Sequence, residues 1–165
     1  FNQHVRLAMY GDDNLLCVSD EAAAFFNQNT MMRSFPAFGL KYTSDKKEDL
    51  NPPPYRTIAQ VTFLKRGFLY CDGLARFVAP LDSETIVNML HWTKRGGSGD
   101  TITRDNCTNA LREWSLHGSE VYNRNAEALR AAVESKMGER LYIPPYQLAL
   151  QEVCTYVPEW IKERV

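Results

Sequence analysis

Val5-Arg6-Leu7-Ala8-Met9-Tyr10-Gly11-Asp12-Asp13-Asn14-Leu15-Leu16-Cys17-Val18 carries two apolar-rich runs, Val5–Met9 and Leu15–Val18, on either side of Tyr10-Gly11-Asp12-Asp13. Each run is short and bounded by polar residues, so each reads as a strand. Gly-Asp-Asp-Asn is turn chemistry, because Gly and Asn tolerate positive φ and Asp makes local side-chain turns. The expected product is a hairpin with adjacent carboxylates at its tip. Such a pair repels itself and is costly to bury, so a tight turn that carries it invites a cation. Hard oxygens suit Mg²⁺, whose remaining ligands are waters and phosphate oxygens. The plain alternative is a solvated turn.

Downstream of the hairpin, Ser19 is placed to cap a helix beginning Asp20-Glu21-Ala22-Ala23, whose acidic first turn suits the helix dipole. Phe25, Phe26, Met31, Met32, Phe35 and Phe38 read as a core-facing set. Asn27 to Thr30 divides the helical region, Pro36 interrupts it and Gly39 ends it. Leu40–Thr43 alternates like a strand, Ser44–Asp49 is a charged loop and Asn51-Pro52-Pro53-Pro54 a stiff connection. Val61–Leu64 reads as a strand, Lys65-Arg66-Gly67 as a turn, and Cys71-Asp72-Gly73 as a hairpin signal before Leu74–Val78. The first half is therefore α+β, an antiparallel sheet with helices on one face.

After Pro80 every long segment has helical period. Asp82 is an N-cap, with Leu81 and Ile86 as a hydrophobic staple, for a helix running to about Trp92, which reads as a core anchor. Thr103 is expected to cap a second helix with Cys107, Ala110, Leu111 and Trp114 inward. Ser119 opens a third that carries Tyr122, Ala126, Leu129, Val133 and Met137 and stops at Gly138. Pro144-Pro145 opens a last helix with Tyr146, Ala149, Leu150, Val153 and Val157, interrupted by Pro158. The second half reads as a bundle of about four helices.

The 165 residues are 44% hydrophobic and 24% charged, enough for a core and too apolar for disorder. No apolar run is long enough to span a membrane. The first residue is Phe1 and not Met, which leads us to expect a piece of a longer polypeptide. A net charge of −1 argues mildly against autonomous nucleic-acid binding, although Lys46-Lys47, Lys65-Arg66 and Lys94-Arg95 are local basic clusters. Cys17, Cys71, Cys107 and Cys154 form no CxxC pair, which argues against a structural zinc site and makes a reduced setting the default. His4, His91 and His117 match no motif.

Four features stand in one order: Tyr10-Gly11-Asp12-Asp13, Thr43-Ser44-Asp45-Lys46-Lys47, Phe63-Leu64-Lys65-Arg66 and Trp92-Thr93-Lys94. That order resembles the C-terminal part of the RNA-dependent RNA polymerases of picorna-like positive-strand RNA viruses, dicistrovirus-like or marine picorna-like. Gly-Asp-Asp alone is a weak signal. Phe-Leu-Lys-Arg and Trp-Thr-Lys at these distances make it specific.

The resemblance implies an antiparallel polymerase palm (motifs C, D and E) over 1–80 and a mostly helical thumb over 81–165. It implies RNA-directed RNA synthesis by nucleotidyl transfer. Asp12 would bind the catalytic Mg²⁺ ions, with Mn²⁺ as a substitute, and Asp13 would support it. In-line displacement at phosphorus suits two metals about 3.5–4 Å apart. Lys46, favoured over Lys47, would protonate the departing pyrophosphate. Lys65 and Arg66 would grip the primer strand's backbone without reading sequence, and Lys94 and Arg95 would line the exit path of the new duplex.

The implied partners are template and nascent RNA, nucleoside triphosphates and the upstream fingers and palm of the same polyprotein, with a protein primer as an option. The implied location is the host-cell cytoplasm, in membrane-associated replication complexes. The family's other palm carboxylates and its sugar-selecting segment are not in this chain, so alone it is expected to be inactive. Two other readings remain at this stage, a non-catalytic RNA-binding module and a reverse-transcriptase-like palm.

Overall fold

The computed structural model describes residues 1–44, 51–92 and 99–155. They fall into two compact units, Phe1–Leu64 and Lys65–Val165. In the first, β1 (Val5–Tyr10) and β2 (Asp13–Val18) pair antiparallel in continuous register from Val5↔Val18 to Tyr10↔Asp13.

Helix α1 (Asp20–Ala23) follows directly. Ser19 stands at its N-cap position, but its side chain makes no cap bond. Its Oγ lies 2.9 Å from His4 Nδ1 and closes the foot of the hairpin instead. The effective cap is Asn27, before α2 (Gln28–Ser34): its Oδ1 accepts from the backbone of Asn29 and Thr30, and Thr30 Oγ1 accepts from the Asn27 amide. The division expected at Asn27–Thr30 is thus a capping box. Pro36 lies in a 3₁₀ turn, Phe35–Phe38, which Gly39 ends at φ 72°.

Two expected strands are absent. Leu40–Thr43 and Val61–Leu64 lie in no named strand, because β1 and β2 pair only with each other among the described residues. The polyproline connection is anchored by Pro54, whose carbonyl accepts from Gln28 N at 3.0 Å.

The hydrophobic core of this unit is thin. Val5 and Ala22 are its only buried hydrophobic residues among those described, while Phe25 and Phe38, expected inside, are 70% and 78% exposed. Its elements are too short to enclose side chains of that size.

In the second unit β3 (Leu69–Cys71) pairs antiparallel with β4 (Arg76–Val78). The class is α+β as expected, but among the described residues the strands form two two-stranded ribbons, β1–β2 and β3–β4, where one sheet was expected. Asp72-Gly73 marks the connection, yet the left-handed residue there is Ala75 (φ 49°), at the end of a 3₁₀ turn, Asp72–Leu74.

Helix α3 (Ser83–Met89) is capped by Asp82, whose Oδ1 accepts from Thr85 N at 2.8 Å and whose Oδ2 accepts from Thr85 Oγ1 at 2.6 Å. It stops short of Trp92, which is 74% exposed and so does not anchor the core. Helix α4 (Gly99–Ser115) starts a turn earlier than expected, and Thr103 Oγ1 donates back to Gly99 O inside it rather than capping it. Helix α5 (Ser119–Met137) ends at Gly138 (φ 66°), and α6 (Tyr146–Thr155) follows Pro144-Pro145. Val157 and Pro158 lie outside the described residues.

Ile86, Cys107, Ala110, Leu111, Trp114, Tyr122, Ala126, Leu129, Val133 and Ala149 form the core of this unit. They lie at the helical spacing read from the sequence. Leu81 packs against the same cluster as Ile86, as the staple requires. Val78, Leu116 and Leu150 make a second cluster that joins the β3–β4 ribbon to α6. The composition change at Pro80 therefore falls inside one packed unit.

The Asp82 cap gives a direct stability prediction. Asp82→Ala should cost about 1 kcal/mol, the usual worth of an N-cap, read as a lower urea midpoint. Its bonds from Thr85, side chain first, hold the Asp82 pKa below the usual carboxylate value. The contribution is therefore present above the unfolded carboxylate pKa and is lost as pH falls through the lower, folded value. The variant and the parent should converge in stability at acid pH.

Candidate catalytic hairpin and basic turn

The β1–β2 connection is two residues long, Gly11-Asp12, with Gly11 at φ 61°. Positive φ at the first central position only is the pattern of a type II′ turn, whose twist matches that of paired strands. The turn is tighter than the sequence suggested. Asp13 is already in the ladder opposite Tyr10, and Asn14 opposite Met9, so only Asp12 is at the apex.

Both carboxylates are exposed, and among the described residues no hydrogen bond or ion pair engages either side chain. No group of three or more His, Cys, Asp or Glu suited to a metal occurs among the described residues. The chain therefore offers two free hard-oxygen donors. That is a ligand set Mg²⁺ accepts when waters and phosphate oxygens complete the shell.

Side chains alternate along each strand, so Asp13 and Tyr10 share one face and Asn14 and Met9 the other. Tyr10 is 69% exposed, so the Asp13 face is open. On the opposite face Asn14 is half-buried and its Oδ1 accepts from the Tyr42 hydroxyl at 2.8 Å. Asn14 Nδ2 in turn reaches the Asp12 carbonyl at 3.5 Å. The Tyr42 ring packs against Phe35, with centroids 5.0 Å apart. Burial raises the Tyr42 pKa, opposed by the bond to Asn14.

The basic turn is displaced by one residue from the position read in the sequence. Leu64 and Lys65 both have positive φ, 53° and 62°. Two left-handed central residues are what a type I′ turn requires, but each costs an L-residue with a Cβ about 1–2 kcal/mol. The residues on either side of Arg66 are held by backbone bonds. Asp82 N donates to Lys65 O and Gly67 N to Pro80 O, both at 2.9 Å, and Arg66 bridges Leu81.

Arg66 also spans to α4. Its guanidinium donates to both Glu113 oxygens, at 2.9 and 2.7 Å, and to Ala79 O at 2.8 Å. The bonds to Glu113 hold its pKa above the usual value, against the effect of burial. Arg66, expected on the RNA backbone, is thus engaged inside the fold. Lys65 is the exposed cation of the pair, and no hydrogen bond engages its ammonium among the described residues. Lys46, Lys47, Lys94 and Arg95 lie outside the described residues.

A family model described as viral RNA-dependent RNA polymerase matches residues 1–142. This chain belongs to the viral RNA-dependent RNA polymerase family. It is 34% identical over 153 residues to the replicase polyprotein of acute bee paralysis virus (strain Rothamsted), and 33% identical over 154 to that of Drosophila C virus (strain EB). Those alignments cover 92% and 93% of the chain but 8% and 9% of the polyproteins. It is also 35% identical over 153 residues to the RNA1 polyprotein of cherry rasp leaf virus, covering 91% of the chain and 7% of that polyprotein.

Among solved structures, the Sicinivirus 3Dpol RNA-dependent RNA polymerase superposes with a TM-score of 0.72 at 22% identity, covering 93% of this chain and 31% of that one. That likeness shows a shared fold. The picorna-like resemblance read from the four ordered features holds, and the RNA-copying family is the one matched. The family works with divalent metal ions.

The sequence did not reveal Asn14, Tyr42 or Glu113. Asn14 could have been suspected from its place beside the carboxylates. Neither of the others carries a local signal of its partner.

Proposed function

We propose that this chain is the C-terminal palm and thumb of an RNA-directed RNA polymerase, working within a larger polyprotein product to extend RNA from nucleoside triphosphates. The observation that carries this reading is the two unengaged carboxylates of the β1–β2 hairpin, Asp12 at the apex and Asp13 beside it in the ladder, in a chain of the polymerase family. Asp12 would hold Mg²⁺, with Mn²⁺ as a substitute, and Asp13 would support it. The metal would supply charge stabilisation at the phosphates. Lys65 would contact the RNA backbone, while Lys46 would serve as the acid for pyrophosphate and Lys94 would line the duplex path. The site would operate in the host cytoplasm, on membranes reached through other viral proteins. Among the described residues no helix is long and apolar enough to cross a membrane.

The test compares labelled-nucleotide incorporation on a primed template by this chain and by the longer polymerase, with and without Mg²⁺ or Mn²⁺. The isolated chain should be inactive and the longer protein active only with metal. Metal-independent incorporation, or RNA binding without any incorporation by the longer protein, would reject the proposal.

A further inference from the structure

We infer that Tyr42 is a positioning residue for the acidic turn, holding Asn14 by its hydroxyl and, through the Asn14 amide, the backbone carbonyl of Asp12. The inference rests on the polymerase reading of Asp12 and Asp13. Among the described residues β1 and β2 pair only with each other, and a two-residue turn on one pair of strands is a soft device, since isolated hairpins are marginal in water. Metal sites tolerate little play in their ligands, about 0.5 Å. A bond that stiffens the apex must leave the open Asp13 face unoccupied.

Asn14 is suited to that task. Strand alternation puts it on the face opposite Asp13, and it follows Asp13 directly in the ladder. With Oδ1 taken by the Tyr42 hydroxyl at 2.8 Å, its Nδ2 is turned to the Asp12 carbonyl, at the long distance of 3.5 Å. Tyr42 is itself fixed from behind by the Phe35 ring. Phe35 opens a 3₁₀ turn that Gly39 closes, with Leu40 N donating to Phe35 O at 3.2 Å. The brace thus runs from the Phe35–Gly39 turn through one phenol and one amide to the apex. A phenol is protonated at neutral pH, and burial moves the Tyr42 pKa further in that direction, so the hydroxyl is a donor.

The test is a Mg²⁺ titration of nucleotide incorporation by the full-length polymerase carrying Tyr42→Phe, Asn14→Ala or both. Tyr42→Phe keeps the ring packing and removes only the hydroxyl. Each single variant should raise the half-saturating Mg²⁺ concentration about three- to tenfold, the span of one hydrogen bond's net contribution. The rate at saturating Mg²⁺ should be largely kept, and the double variant should be no worse than either single one. If Asn14→Ala does not fold, Asn14→Ser takes its place.

An unchanged Mg²⁺ requirement, with or without a lower melting temperature, would overturn the inference, and so would multiplying effects in the double variant. Asp12→Asn measured alongside separates the two levels. If it keeps full incorporation, the polymerase reading fails. If it is inactive while Tyr42→Phe titrates as the parent does, only the positioning role fails.

Discussion

Replacing Asp12 with asparagine in the full-length polymerase is expected to lower nucleotide incorporation on the order of 10³-fold or more. Asparagine has nearly the same shape and is itself a turn residue, so the Gly11-Asp12 connection should survive the change. What is lost is the negative charge of the one carboxylate in the turn itself. A metal's stabilisation of a transferring phosphoryl group is worth several kcal/mol. At about 1.36 kcal/mol per tenfold, losing the better part of it gives the stated factor. Asp13→Asn should be milder, since Asp13 sits one position down the ladder opposite Tyr10. Single-nucleotide incorporation under excess Mg²⁺ decides the matter, with circular dichroism to confirm folding. Wild-type incorporation by Asp12→Asn would remove that residue from the chemistry. Equal losses at Asp12 and Asp13 would give the two carboxylates equal weight.

The sequence made some features legible and left others hidden, for physical reasons. The helices of the second unit could be read because long periodic segments with clear stops carry redundant information. Tyr122, Ala126, Leu129 and Val133 recur at helical spacing, and Gly138 takes the left-handed position that ends their helix. The acidic hairpin was equally local, with Gly11 supplying the positive φ its turn demands.

Short alternating runs were less informative. Leu40–Thr43 alternates, but alternation does not reveal whether an edge is there to pair with. The Leu64-Lys65 turn defeats residue preferences altogether, since neither residue favours positive φ and the conformation is imposed by the bonds around Arg66, Gly67 and Asp82. The side-chain partners around the hairpin and the basic turn are distant in sequence. Tyr42 is 28 positions from Asn14 and Arg66 is 47 from Glu113, separations at which no local pattern forecasts a bond.

That second pair leads to a prediction that separates two adjacent cations. Arg66→Ala should destabilise the second unit by about 2 kcal/mol. Hydrogen bonds to charged groups are worth about 1.5–3 kcal/mol, and an exposed ion pair no more than about 1. This pair lies between those limits, with side chains 38% and 22% exposed. Its bidentate geometry and the added bond to Ala79 O favour the upper part of the range, and removal would leave Glu113 without its fork. Arg66→Lys should recover only part of the loss, because an ammonium cannot match two carboxylate oxygens and a carbonyl in one plane.

Lys65→Ala should behave in the opposite way. Its side chain is exposed, so the urea midpoint should barely move, while RNA affinity of the full-length polymerase should fall and the slope of log affinity against log salt should shrink by about one unit. If Lys65→Ala leaves the salt slope unchanged, the basic turn does not touch RNA. If Arg66→Ala changes the slope and not the midpoint, the bridge to Glu113 opens in the working enzyme and Arg66 returns to the RNA side.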